Sequence, residues 1–280
     1  GRIGSVFDNI NVNVSSGLLV KWIKSFLYLK DNSFNDLLKK HGDIGTVFQN
    51  QYNKMDSSLL LIDVYRYLEE IAFIKGDGSV SAKEKLFFDV LSNLDSASGC
   101  YLIRAIEGNL RIGLSEMTII ESLSMLSIAL EKKAKDNLFQ YDNFINLISS
   151  EFKREYLTYK DKILEKYGIF PDLGEIAKKI FAGGIIGIDR IGINIGVPII
   201  PQAANRVKSP NEIQKVKSFP LFAQTKYDGL RIQIHYEKSH SSNVFMYSRN
   251  LLPMHDMFPE IKRNISTIFD DSNIESMICE

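Results

Sequence analysis

Apolar residues recur every three or four positions from residue 16 to about residue 182. Leu19, Trp22, Ile23 and Phe26 show this spacing, which is that of one face of an α-helix. The same pattern predicts further helices at about 97–107, 115–131, 135–150, 152–167 and 173–182. This part of the chain is therefore expected to be all-α.

Polar and glycine residues predict where some of these helices begin and end. Ser81 and Glu84 have the spacing of a capping box, in which a hydroxyl and a carboxylate each bind a free amide of the first turn. Gly108 and Gly168 are expected to adopt the left-handed conformation that often ends a helix.

The pattern changes after Gly183. Glycine and β-branched residues dominate the next stretch, and Pro198 and Pro201 prevent a helix there, so an irregular or extended crossing is expected. Beyond it, apolar and polar residues alternate from Leu230 to Tyr236. This period of two is typical of a β-strand whose faces differ.

Several elements are predicted in this last part of the chain. The alternating strand places Leu230 on its apolar face and Arg231, Gln233 and His235 on its polar face. The others are a strand at Phe219–Tyr227, a strand at Val244–Tyr247, a helix at His255–Phe269 and a strand at Ile274–Cys279.

The chain is thus predicted to be multi-domain. An all-α domain occupies residues 1–184, a crossing occupies residues 185–204, and the beginning of a mixed α/β domain with an antiparallel sheet occupies residues 205–280. Because the chain starts at Gly1 and stops at Glu280 directly after a predicted strand, we expect it to be part of a longer protein.

Composition narrows the functional classes. The 34 Lys and Arg residues balance the 34 Asp and Glu residues, so bulk charge does not indicate a nucleic-acid partner, although a local basic face is compatible with one. Cys100 and Cys279 form no CxxC or Cys/His cluster, which argues against a disulfide framework or structural zinc and favours a reducing compartment. No apolar run is long enough for a membrane span, so no membrane partner is expected.

The six residues Lys226–Arg231 carry the most informative chemistry. Lys226 ends a predicted strand, Asp228 and Gly229 are a strong turn signal, and Arg231 follows on the next strand. Two cations at the mouth of one sheet suit an anionic ligand such as a phosphate, and the neutral amine of a lysine can act as a nucleophile. Spacing alone leaves open the alternative of a hairpin turn with solvated basic ends.

The pattern extends beyond these six residues. FAQTKYDGLRIQIH at 222–235, followed by SRN at 248–250, resembles the adenylation motifs of ATP-dependent DNA ligases, and most closely the archaeal and eukaryotic replicative type. The resemblance implies that Lys226 takes AMP as a covalent phosphoramidate. It also implies that Arg231 and Arg249 contact the ribose and phosphate of the nucleotide.

A second region points to the same family. LIRAIEGNLRIGLS at 102–115 resembles the helix-turn-helix signature of the DNA-binding domain of these ligases, and KKHGDIG at 39–45 is similar to an early helical segment of that domain. Gly108 ends a helix and the turn carries Arg111 and Gly113, where small residues let backbone amides approach phosphate oxygens. These three residues are the predicted DNA contacts. A sharp turn between helices with an exposed arginine is the alternative.

Two positions bear on the limits of the resemblance. The family usually has Glu two residues before the nucleophilic lysine, where it contacts adenine, and this chain has Gln224, whose amide both accepts and donates. Glu280 aligns with the acidic residue that opens the next motif. The Glu that binds metal and ribose is therefore expected two residues further on, and no metal ligand is predicted within the chain.

The resemblance implies an ATP-dependent DNA ligase that uses ATP and Mg²⁺ to seal nicks in double-stranded DNA, in replication, repair and recombination. The present chain alone is expected to be inactive in full ligation. It is expected to be a monomer with a sliding clamp as a candidate partner, in the cytoplasm if archaeal and in the nucleus if eukaryotic. The alternatives are a related RNA ligase or capping-type nucleotidyltransferase, and a non-catalytic DNA-binding module.

Overall fold

The fold is taken from a computed structural model that describes residues 2–135, 153–203, 207–209, 212, 225–226, 228–239, 244–270 and 273–280. The chain divides into two compact units, Gly1–Ser115 and Glu116–Glu280. The helix predicted at 135–150 and the strand predicted at 219–227 lie almost entirely outside the described residues. The domain boundaries predicted at residues 184 and 204 stay predictions.

The first unit is helical, as predicted. It starts with the short antiparallel strands β1 (Arg2–Ile3) and β2 (Ile10–Asn11). Its helices are α1 (Ser16–Phe26), α2 (Asp31–His41), α3 (Ile44–Gln51), α4 (Leu61–Phe73), α5 (Ser79–Ser92) and α6 (Ser96–Glu107). Their apolar faces meet in one core, in which Trp22, Phe34, Phe48 and Phe87 are fully buried.

The predicted capping box at Ser81 is wrong. Helix α5 begins at Ser79, two residues earlier, after Gly78 in the left-handed conformation (φ 78°). Ser81 therefore lies inside the first turn. Gly78 provides this start because glycine adopts positive φ without strain.

Helices α3 and α6 approach closely because glycines face the contact on both sides. A Cβ on Gly45 would lie 2.8 Å from the carbonyl oxygen of Cys100, and a Cβ on Gly99 would lie 2.4 Å from Cε1 of the buried Phe48. Neither position has room for a larger side chain. The contact holds the start of α3 against α6.

The second unit combines helices with a small sheet. The helices are α7 (Glu116–Lys135), α8 (Lys153–Ile169), α9 (Leu173–Gly183) and α10 (Pro259–Asp270), and a 3₁₀ helix spans Gly184–Ile188. The strands are β3 (Ile232–Glu237), β4 (Val244–Ser248) and β5 (Ser276–Cys279), all antiparallel, with β3 between the other two. The antiparallel sheet predicted from the sequence is confirmed.

Several boundaries in this unit differ from the prediction. Gly168 does not end α8, which continues to Ile169, and Gly168 has no positive φ; its carbonyl oxygen instead accepts from the backbone N–H of Ile200 at 2.8 Å. Helix α10 begins at Pro259 rather than His255. Proline at the first helical position is favoured because it lacks an N–H that would have no partner there.

The glycine contact between α3 and α6 gives a stability prediction. Gly99→Ala is expected to lower the free energy of unfolding by about 1–3 kcal/mol, because the added methyl group must displace the ring of Phe48. Urea denaturation measures this change. Gly17→Ala in α1, where a Cβ would meet nothing within 4 Å, is the matched control and should be neutral or stabilising. Equal stability of the two variants would contradict the close packing.

Candidate functional site

The register of the sheet brings three predicted or aligned site residues to one end. Ile232 of β3 pairs with Ser248 of β4, so Arg231 and Arg249, the next residues outward, lie side by side at this end. Ile234 pairs with Cys279 of β5, which brings Glu280 to the same end. Strand pairing therefore assembles two cations and one carboxylate that are distant in the sequence.

Arg231 and Glu280 form an ion pair. The Nε and Nη2 atoms of Arg231 donate to the two carboxylate oxygens of Glu280. The pair lies at the surface, with side chains 39% and 37% exposed, and the hydrogen bond that Arg231 donates to Glu280 raises the pKa of the guanidinium. An anionic ligand that binds Arg231 must share the guanidinium with Glu280 or displace this carboxylate.

Lys226 and Asp228 precede this end of the sheet. Both are exposed and lie outside regular secondary structure. Lys226 and Arg231 are five residues apart, so their Cα atoms lie at most about 18 Å from each other. Gly229 lies in a bend and has no positive φ. Gln224 lies outside the described residues, and its role and that of Lys226 stay predictions.

The two faces of β3 differ from the sequence prediction. The strand begins at Ile232, so Leu230 lies outside it and is 77% exposed instead of sharing the apolar face. Of the predicted polar face, only Arg231 is exposed, whereas Gln233 and His235 are buried. The polar face predicted from the alternation is therefore covered at Gln233 and His235.

Gln233 and His235 bind the backbone of the crossing segment Gly196–Ile199. The Gln233 amide accepts from the N–H of Ile199 at 2.7 Å and donates to its carbonyl oxygen at 3.2 Å. His235 Nδ1 accepts from the N–H of Gly196 at 3.2 Å, so Nε2 carries the proton and donates to Gln233 Oε1 at 2.9 Å. Burial lowers the pKa of His235 to about 4, which keeps the ring neutral.

Other residues fix the same crossing segment. The hydroxyl of Tyr247 in β4 donates to the carbonyl oxygen of Gly196, and the Tyr247 and His235 rings lie 5.2 Å apart. On the side of α8, Lys166 Nζ donates to the carbonyl oxygen of Ile191 at 2.9 Å. The chain from Ile191 to Ile199 is thus hydrogen-bonded to both helix α8 and the sheet. The strict alternation of polar residues predicted a polar face for β3. It gave no indication that the backbone of the crossing segment would cover this face.

The predicted DNA-binding turn lies in the first unit, between α6 and Ser115. Gly108 ends α6 in the left-handed conformation (φ 80°), and Asn109 Oδ1 accepts from the N–H of Arg111 at 3.1 Å. Arg111 and Gly113 also have positive φ, of 55° and 68°. All four residues are exposed. The turn therefore presents its backbone and Arg111 to solvent, as a phosphate contact requires.

A buried ion pair ties α6 to the loop before α3. Arg104 Nε and Nη2 donate to the two carboxylate oxygens of Asp43 at 3.1 Å each, and Nη2 also donates to Thr46 Oγ1 at 2.9 Å. Asp43 also caps α3 by accepting from the N–H of Thr46. Burial alone would raise the pKa of Asp43, but the hydrogen bonds from Arg104 and Thr46 hold it well below its usual range.

The structure also brings the two helical sequence signatures together. Arg111 Nη2 donates to the carbonyl oxygen of Gly42, the residue that ends α2, at 3.4 Å. Gly42 belongs to the KKHGDIG segment and Arg111 to the GNLRIG turn. Segments about seventy residues apart thus form one surface.

The described ranges hold no group of three or more His, Cys, Asp or Glu side chains placed to bind a metal ion. Glu280 alone is not a sufficient donor set. No helix among the described residues combines the length and apolar character needed to cross a bilayer.

Comparison with known proteins defines the class. Residues 3–124 match the family described as DNA ligase N terminus, and residues 201–280 match the family described as ATP dependent DNA ligase domain. A segment that matches a ligase N-terminal domain and a segment that matches an ATP-dependent ligase domain therefore follow one another in this chain. The chain belongs to the ATP-dependent DNA ligase family.

Individual relatives agree with this assignment. "DNA ligase 2" of Korarchaeum cryptofilum is 28% identical over 272 residues, covering 95% of this chain and 41% of the relative. A "Probable DNA ligase" of Persephonella marina is 29% identical over 265 residues, covering 93% and 40%. "DNA ligase" of Saccharolobus shibatae is 27% identical over 269 residues, covering 91% and 40%. The chain spans about two fifths of the length of these relatives.

Burial of neutral His235 predicts a pH dependence. The unfolded chain binds a proton at a histidine pKa of 6.5, whereas the folded chain does so only at about 4. The free energy of unfolding should therefore fall as pH drops from 6.5 towards 4, by up to about 3 kcal/mol in total. Urea denaturation at about pH 7 and about pH 5 measures this dependence.

The variant His235→Gln should flatten this dependence. Some of it should remain, because burial lowers the pKa of His255 as well. His41→Gln in the first unit is the matched control and should keep the wild-type dependence. If His235→Gln and the wild type lost equal stability on acidification, His235 would not be the neutral buried partner of Gly196.

Proposed function

We propose that this chain is part of a ligase that seals nicks in double-stranded DNA through a covalent lysine–AMP intermediate. The observation that carries the proposal is the sheet register, which puts Arg231 and Arg249 at one end with Glu280, directly after the stretch that contains Lys226. Two cations at the end of the sheet, five residues or more along the chain from an exposed lysine, suit the phosphates of ATP. The names of the relatives support a DNA substrate.

The chemistry proposed for Lys226 is a phosphoryl transfer. Its neutral amine attacks the α-phosphorus of ATP, a P–N bond forms, the bond to the β-phosphate oxygen breaks, and pyrophosphate leaves while the amine releases a proton. Arg231 and Arg249 neutralise the phosphate charge that develops. Arg231 is held by Glu280 in the free chain, so nucleotide binding must share or displace this carboxylate.

Two further transfers complete the reaction. The 5′-phosphate at the nick attacks the AMP phosphorus, which breaks the P–N bond and returns the lysine. The 3′-hydroxyl then attacks the activated 5′-phosphate, a phosphodiester bond forms, and AMP leaves. Because all three steps are phosphoryl transfers, positioning and charge neutralisation provide most of the catalysis.

Mg²⁺ belongs to this proposal as a companion of the nucleotide. The described residues alone do not supply a donor set for it, but Mg²⁺ is commonly held by one or two carboxylates together with substrate phosphates. Glu280, which pairs with Arg231, is a carboxylate at the predicted phosphate site. Replication, repair and recombination roles, a sliding-clamp partner, a monomeric state and a cytoplasmic or nuclear location are parts of the same proposal.

The nucleophile assignment predicts the outcome of one substitution. Lys226→Ala should abolish the gain of one AMP that intact-protein mass spectrometry detects after incubation with ATP and Mg²⁺, in a longer protein that contains this chain. Lys226→Arg should fail as well, because guanidinium stays protonated. The control Lys238→Ala, at the opposite end of β3, should be labelled like the wild type. Labelling of Lys226→Ala at the wild-type level would refute the assignment.

The turn in the first unit predicts a separate effect on DNA binding. Arg111→Ala should weaken binding to nicked duplex and reduce the slope of log affinity against log salt by about 1, because one phosphate contact is lost. AMP labelling should not change. Fluorescence anisotropy over a salt series measures the slope, and Arg66→Ala, an exposed arginine of α4, is the control. Loss of AMP labelling in Arg111→Ala would contradict a role confined to DNA.

A further inference from the structure

The surface formed by the end of α2 and the Arg111 turn carries more positive charge than the turn alone. Lys39, Lys40 and His41 form the last turn of α2, and Gly42 ends the helix in the left-handed conformation (φ 82°). Both lysines are exposed, and neither forms an ion pair with a residue that the structure describes. We name residues Lys39–Asp43 the α2–α3 corner.

The corner is joined to the turn by one direct contact and to helix α6 by another. Arg111 donates to the carbonyl oxygen of Gly42 at 3.4 Å. Arg104, three residues before the end of α6, binds Asp43 through two hydrogen bonds. On its other side, Asn50 of α3 lies 3.3 Å from His41 Nδ1 through its side-chain amide. The corner and the turn are therefore held in one arrangement before any ligand binds.

The acidic groups at this surface are largely removed from it. Asp43 is buried and neutralised by Arg104. Glu107, at the end of α6, is half-buried, and burial raises its pKa. Asp36, one turn earlier on α2, is the exposed carboxylate closest along the helix. The two lysines and Arg111 are thus the exposed cations of the corner and the turn, against one exposed carboxylate, Asp36.

From this arrangement we propose that Lys39 and Lys40 bind backbone phosphates of the same DNA duplex as the Arg111 turn. The inference rests on the proposed function, since it assumes that the turn contacts duplex DNA. A flexible ammonium suits this contact because lysine binds phosphate as a point charge and needs no fixed geometry. The corner therefore adds affinity that depends on salt and not on base sequence.

A simpler role for the two lysines is stabilisation of α2, because cations favour the negative end of a helix. That role needs no ligand and would change thermal stability without changing DNA affinity at a temperature where the protein is folded. The two roles therefore differ in a measurable way. Arginine at both positions keeps the positive charge that phosphate binding and helix stabilisation each require. The arginine variant therefore shows whether the lysine side chain itself matters beyond its charge.

The test measures binding of the full chain to a nicked, fluorescently labelled duplex by anisotropy over a salt series. Lys39→Ala/Lys40→Ala should weaken binding roughly fivefold to thirtyfold at low salt and reduce the salt slope by about 1 to 2. Lys39→Arg/Lys40→Arg should restore most of both. The matched control is Lys75→Ala/Lys85→Ala, which removes the same charge from exposed positions on α5 and the loop before it.

The outcomes separate this inference from the proposed function. If the alanine pair binds DNA with wild-type affinity and slope while Arg111→Ala binds more weakly, the corner does not contact DNA and the proposed function stands. An equal loss in the Lys75/Lys85 control also overturns the inference, because net charge alone would explain it. If the wild-type chain binds no duplex at any salt concentration, the inference and the DNA-binding part of the proposed function both fail. Circular dichroism of each variant checks that it is folded.

Discussion

The polar face of β3 is the constraint on which the second unit depends. A strand between two neighbours is normally buried on its apolar face only, but here backbone of the crossing segment covers Gln233 and His235 as well. Buried amides and imidazoles cost free energy unless they are hydrogen-bonded, and each of these groups has its partner. The two side chains therefore serve as the hydrogen-bond partners of backbone groups of Gly196 and Ile199.

This constraint also specifies the register of the sheet. A slip of β3 by one residue would turn Ile234 towards the crossing segment and leave the N–H groups of Gly196 and Ile199 without acceptors. The observed register avoids that cost, and the same register puts Arg231, Arg249 and Glu280 at one end. The buried hydrogen bonds of Gln233 and His235 thus help to fix where the charged residues at the end of the sheet lie.

The sequence predicted what local patterns determine. Helical spacing gave the all-α first part, and alternation gave the central strand, because both periods follow from backbone geometry. The prediction failed where the burial or the conformation of a residue depends on a part of the structure that its own local pattern does not show. The burial of His235 depends on Gly196, the contact between Arg111 and Gly42 joins residues about seventy positions apart, and the start of α5 depends on a glycine whose conformation was not predicted. Neither period nor spacing contains information about such partners.

The same distinction explains why the balanced charge of the chain is a poor guide to its partners. The 34 basic and 34 acidic residues cancel in the sum, but an ion pair such as Arg104–Asp43 removes one charge of each sign and leaves the sum unchanged. An anionic ligand interacts with the exposed charges that remain at each surface. At the α2–α3 corner these charges are mainly basic, because Asp43 is buried in its ion pair with Arg104. A neutral chain can therefore offer local sites for phosphate, provided that folding separates its paired charges from its exposed ones.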